Sequence, residues 1–248
     1  MKGNYPVRLV LLAFAICTMV LRPAGAEELR PQLDDLVAHF NEVVFGVEYA
    51  TLTTRPDGLS KWFGPVVGIQ VQGNPTDTLV KLAGKHVQSL AKLTGLGFRT
   101  LKPGETLPSI DLVFLKRAHM GNISGPNVDA AVVRSMASDP TMLCYFLTWK
   151  SPPEQIVKAL VVVNVEADPV RLDACLLEEL TQVMGLPNDV ETYWPSMFKP
   201  NDSSTQHSRW DALYIKTLYD PRLKPGMTPA QAADVVRPIF AEALSKLP

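Results

Sequence analysis

Glu178, Glu179 and Gln182 stand in the stretch CLLEELTQVMGLPND, from Cys175 to Asp189, at a spacing that suits metal-assisted hydrolysis. Side chains four residues apart project from one face of a helix, so positions 178 and 182 can grip one ion. The acid between them can then take a proton from a bound water. The same residues also fit a plainer description, the solvated face of an amphipathic helix. At about 100° per residue, Leu172, Leu176, Leu180 and Val183 form one apolar face. Glu178, Glu179 and Gln182 fall on the opposite arc, with Cys175 among them. Asp168 as cap and Pro169 in the first turn start this helix, and Gly185 ends it.

The elements that must hold this helix are legible from periodicity. Leu33, Leu36, Val37, Phe40, Val43 and Val44 recur at helical spacing. A strand runs from Val66 to Val71 and ends at Gly73. A long helix follows, capped by Thr76 or Asp77, with Leu79, Leu82, Leu90 and Leu93 toward the core and Gly95 as stop. His86 lies at the border of that apolar stripe. GFRTL and IDLVFLK are two strands joined by the turn-rich KPGETLPS. Residues 116–142 are irregular, and His119 there fits a plain loop residue and a site residue equally well. CYFLTW and IVKALVVVNVEAD are two more strands, the second β-branched enough for the sheet centre. After the Glu178 helix comes a long loop, PNDVETYWPSMFKPNDSSTQ. Next is a helix with a Ser208/Asp211 capping box, and then a last helix with Thr228 as cap and Pro229 in its first turn. Pro238 is expected to bend or split that last helix. The order of strands and helices, without a strict βαβ repeat, indicates an α+β, mixed α/β architecture rather than a doubly wound sheet.

EELTQVMGLPN resembles HExxHxxGxxH, the active-site helix of the metzincin zinc peptidases. Glu178 and Gln182 fall at the first two histidines, Glu179 at the general base, Gly185 at the glycine and Asn188 at the third ligand. LTGLGFRTLKPGETLPSIDLVFL is similar to the helix and two strands of that clan. WPSMF resembles the turn after its active site, with Phe198 at the methionine position and Met197 one place off. As a whole, residues 30–230 look like a bacterial exported family, DUF2927, through FNEVVFGVEY, KW..P, CLLEELTQ, GLPND and LYDPRLKPGM. The resemblance implies a zincin-like fold: a twisted mixed sheet on helices, the EExxQ helix, and a small C-terminal helical lobe. The 27–188 part would be α/β and the 189–248 part helical, within one domain. It also implies a cleft lined by Glu178, Glu179 and Gln182, with His207 able to approach from the loop, although a surface role in the capping loop suits His207 better. Zinc favours imidazole and thiolate. One carboxylate and two carboxamides are a poor set for it, and oxygen ligands for Ca²⁺ or Mg²⁺ would need help from elsewhere. No cofactor is therefore expected.

The chain opens with Lys2 and Arg8, an apolar run from Leu9 to Leu21, and Ala24-Gly25-Ala26 before Glu27, which has the form of a signal peptide over residues 1–26. The run is short for a membrane span; uncleaved, it would be the only membrane attachment. Without Lys2, Arg8 and Arg22 the net charge moves from −1 to −4, which argues against a nucleic-acid footprint. Cys144 and Cys175 then remain, a pair expected to be oxidised in an exported protein. Their loop of about thirty residues is worth roughly 3–4 kcal/mol in chain-entropy terms. These readings point to an exported protein, periplasmic or secreted. Its most favoured role is binding an extended peptide or an envelope protein as a non-catalytic relative of the peptidases. The alternatives are a metal-dependent hydrolase with Glu179 as general base, using Glu178, Gln182 or Asn188, and His207 as ligands, and a structural envelope component.

Overall fold

Helix starts are fixed by side chains that accept the first free backbone N–H groups. In the computed structural model, which describes residues 30–47, 57–102, 104–125 and 127–246, Thr76 rather than Asp77 caps α2 (Asp77–Thr94) by accepting from Leu79 N at 3.3 Å. Gly95 at φ +75° stops α2 in the left-handed region. Asp168 accepts from Val170 N at 2.7 Å and starts α4 (Pro169–Gln182). Reciprocal capping boxes start α5 (Arg209–Leu218), through Ser208 and Asp211, and α6 (Pro229–Ser245), through Thr228 and Gln231. Helix α1 spans Leu33–Phe45. The chain divides into Met1–Arg30 and Pro31–Pro248. The segment read as a signal peptide lies outside the described residues, and the described helices and strands all belong to the second unit.

Two of the expectations are corrected. Helix α6 runs through Pro238 without a split. The proline is exposed, while Val236 and Phe240 on either side are fully buried, so packing holds both turns in place. Residues 116–142 are more regular than expected: a 3₁₀ turn at Arg117–Asn122 is followed by α3 (Ala130–Ser138), capped by Asp129. The Arg117 guanidinium ties these pieces together by donating to the carbonyls of Ala137, Asp139 and Met142.

The sheet contains β1 (Lys61–Trp62), β2 (Val66–Gly73), β3 (Gly97–Thr100), β4 (Ser109–Leu115), β5 (Cys144–Ser151) and β6 (Gln155–Asn164). Strands β3, β2, β4 and β6 lie side by side and parallel, and β5 runs antiparallel along the far edge of β6. The two residues of β1 pair with the start of β6, on the edge away from β5. The β-branched β6 is thus interior, as its composition predicts.

Alternate residues serve two cores. Ile110, Leu112 and Phe114 of β4 and Ala159, Val161 and Val163 of β6 join α1, α2, α4, α5 and α6 in the larger core. Val113, Leu160, Val162 and Tyr145 face the other way and meet Met120, Val133 and Met136. The architecture is mixed α/β, and among the described residues five helices lie on one sheet face and α3 on the other. Among the described residues, no helix is long and apolar enough to cross a membrane.

Candidate functional site

Helix α4 is built into the larger core along its apolar face, where Leu172, Leu176 and Leu180 are fully buried. Its C-terminal carbonyls are satisfied by distant side chains. Trp62 Nε1 donates to Val183 O at 2.9 Å, and the Tyr219 hydroxyl donates to Met184 O at 2.9 Å. Gly185 has φ +105°, and a Cβ there would collide with the Ser60 carbonyl. Only glycine suits that position, which accounts for this residue without any catalytic role.

The opposite arc departs from the plainer of its two readings. It is not a solvated face: Glu179 is 7% exposed and Gln182 1%, while Glu178 is half-buried. The Cys144–Cys175 disulfide, with Cα atoms 6.2 Å apart, ties the first residue of β5 to this arc and covers it. A Glu179 carboxylate oxygen and the two sulfurs lie within 4.8 Å of one another. Among the described residues, this is the one set of three His, Cys, Asp or Glu side chains close enough to share an ion, and its sulfurs are committed to the disulfide. Gln182 Nε2 donates to Asp189 Oδ1 at 3.1 Å. Asn188 Nδ2 donates to Glu42 O at 3.1 Å, closing the C-terminus of α1, and a Cβ on Gly46 would strike the Asn188 carboxamide. The carboxamides at 182 and 188 thus donate to two different partners.

Met197 and Phe198 are buried in a turn organised by Asp211 of α5. That carboxylate, fully buried, accepts from Ser196 Oγ at 2.6 Å, Met197 N at 3.2 Å and Ser208 N at 2.8 Å. Burial raises its pKa above the ordinary aspartate range, and the donors oppose that shift. Val190 N donates to Phe198 O at 2.7 Å and closes the loop. Beneath it, the buried His39 ring stacks on Tyr214 with centroids 5.3 Å apart and lies 5.0 Å from Trp194. Burial pushes the His39 imidazole down to about 4, against a smaller upward pull from the Val190 backbone. Sequence spacing gives His39 no role, although it sits one turn from Leu36 and Val43.

His207 is not a surface residue. It is half-buried and joins two helices: Nδ1 lies 3.1 Å from Ser89 Oγ on α2, and Nε2 lies 2.9 Å from Thr181 Oγ1 on α4. Thr181 spends its single proton on Leu177 O at 2.6 Å, so Nε2 must carry the hydrogen and Nδ1 must accept from Ser89. Burial, with a smaller contribution from nearby His86, pushes His207 down to about 4 and keeps it neutral at pH 7. His86 is buried too, at 2% exposure, rather than at a border. Its Nε2 lies 2.6 Å from Asp173 Oδ1, which Lys85 also reaches at 2.7 Å. Burial lowers the His86 pKa, and the Asp173 bond works against it. These contacts clamp α2 to α4. Ser89, Asp173 and Thr181, which complete them, and Asp189, which holds Gln182, carry no signal in local spacing, because each partner is remote in sequence or masked by an ordinary helix pattern. Asp211 shows in the sequence only through its capping box with Ser208.

A family model described as a protein of unknown function, DUF2927, matches residues 34–238. No curated protein matches the chain.

Proposed function

The chain belongs to the DUF2927 family, and we propose that it is an exported, non-catalytic peptide- or protein-binding member with a metzincin-like plan. The observation that carries this reading is the edge of β5. Among the described residues, β5 pairs only with β6. Asn164 N donates to Leu143 O, and in an antiparallel ladder the inward-bonded pairs then recur at Tyr145–Val162 and Leu147–Leu160. Phe146 and Thr148 therefore direct their N–H and C=O groups away from the sheet, and an extended peptide can add there as a further strand. The disulfide anchors this edge to the helix that carries Glu178 and Glu179, so the edge is braced beside the arc. The oxidised cysteine pair also supports export, since such bonds persist outside the reducing cytosol.

Zinc does not fit the positions that the peptidase likeness would assign to it. Gln182 and Asn188 offer only neutral carboxamide oxygens, and their nitrogens are engaged with Asp189 and Glu42. No step of this function passes through a metal.

The test is binding to a library of immobilised random peptides by the wild-type protein and by Thr148→Pro. Proline at an outward-facing edge position spares the β6 ladder and removes one outward donor. Saturable binding that falls about tenfold in Thr148→Pro, with an unchanged circular dichroism spectrum, is the expected result. Equal binding by the two proteins would refute the edge-strand mode.

A further inference from the structure

The sheet face away from α4 carries a groove of about 570 Å³, within the roughly 300–1,000 Å³ typical of small-molecule sites. Asp111 of β4 and Lys158 of β6 line its floor with Val113 and Leu160, Trp149 of β5 forms a wall, and Gln72 stands at its margin. Asp111 is 5% exposed. One of its oxygens, Oδ2, lies 3.2 Å from Lys158 Nζ. The other, Oδ1, is buried and has no hydrogen-bond partner within the described protein. A buried acceptor in that state is costly, and a ligand that donates to it recovers the cost. Lys158 differs from Asp111 in being half-exposed, and its ammonium stands 6.0 Å above the Trp149 ring.

We propose that this groove binds a free α-amino acid with a large apolar side chain. The ammonium of the ligand meets Asp111 Oδ1, its carboxylate meets Lys158 Nζ, and its side chain lies against Trp149, Val113 and Leu160. The charge balance selects this class. Asp111 and Lys158 cancel each other, so a lone cation or a lone anion gains one contact and disturbs the other. A zwitterion satisfies both at once. A neutral sugar can donate to Asp111 but offers Lys158 only uncharged hydroxyl acceptors, weaker than a carboxylate. The site is separate from the outward edge of β5, because Trp149 faces the smaller core and Phe146 packs on the larger one.

Calorimetric titration of the purified protein with L-phenylalanine tests the proposal. N-acetyl-L-phenylalanine lacks the ammonium, L-phenylalaninamide lacks the carboxylate, and glucose serves as the neutral polyol. Saturable binding of L-phenylalanine is expected, weakened about tenfold or more by either blocked derivative and by Asp111→Asn or Lys158→Met. Were Asp111→Asn to misfold, Lys158→Met and the two derivatives would decide the matter alone. Absence of saturable binding, equal affinity for the blocked derivatives, or binding of glucose in preference would overturn it.

Discussion

Asp211 and Asp111 are both buried carboxylates, one on each side of the sheet, and their surroundings are opposite. Asp211 accepts from Ser196, Met197 and Ser208 and locks the loop before α5 to that helix. Asp111 lines a groove and has one partly exposed lysine, and its second oxygen is buried without a donor among the described residues. The helical side carries the sequence likeness to an active site, and its Asp211, His207, Asn188 and Gln182 side chains each bridge separate elements, with Gln182 Oε1 short of a donor among the described residues. The side without such a likeness has a carboxylate with capacity left over. A pattern of residue types marks ancestry. An acceptor left short of donors beside a groove marks a place where something can bind.

That contrast can be broken by mutation. Removing the disulfide with Cys144→Ala and Cys175→Ala should cost about 3–4 kcal/mol in urea denaturation and loosen the β5 edge from α4. Asp211→Ala should cost at least about 3 kcal/mol, because three buried donors lose their acceptor. A loss under about 1 kcal/mol would show that the loop is held by packing instead. Acid provides a third probe. Burial holds His39 at about 4 against 6.5 in an unfolded chain, so the unfolded state binds the proton first as pH falls. The contribution of this ring to stability is whole above pH 6.5 and is lost progressively toward pH 4. His39→Phe should remove on the order of 2–3 kcal/mol of the stability lost between pH 7 and pH 4, read from melts at the two pH values. Asp111→Asn should change stability by less than about 1 kcal/mol, because its ion pair reaches solvent and its Oδ1 has no donor to lose. A larger loss would mean that the groove is structural and close the contrast with Asp211.

Elements are easier to read in the sequence than their surroundings. Thr76, Asp168, Ser208 and Thr228 mark four helix starts because capping is a local interaction. Helix α3 is hard to see because it is short and its apolar residues follow a turn-rich loop. Burial of Glu179 beside the Cys144–Cys175 bridge is not legible, since it depends on a strand remote in sequence, and Gln182 is held by Asp189 from the loop beyond the helix. The part played by Asn188 is equally hidden, because its partner Glu42 lies in the first helix. The Asp111 groove exists only where three parallel strands and Trp149 come together, and no spacing in the sequence brings those residues into view.

Backbone hydrogen exchange along β5 tests the central claim most directly. Tyr145 and Leu147 amides, bonded to β6, should exchange slowly, while Phe146 and Thr148 amides exchange fast in the free protein and slow down when a selected peptide is added. Phe146 and Thr148 as protected as their neighbours in the free protein, or peptide-induced protection confined to α4 and the 186–198 loop, would contradict the account.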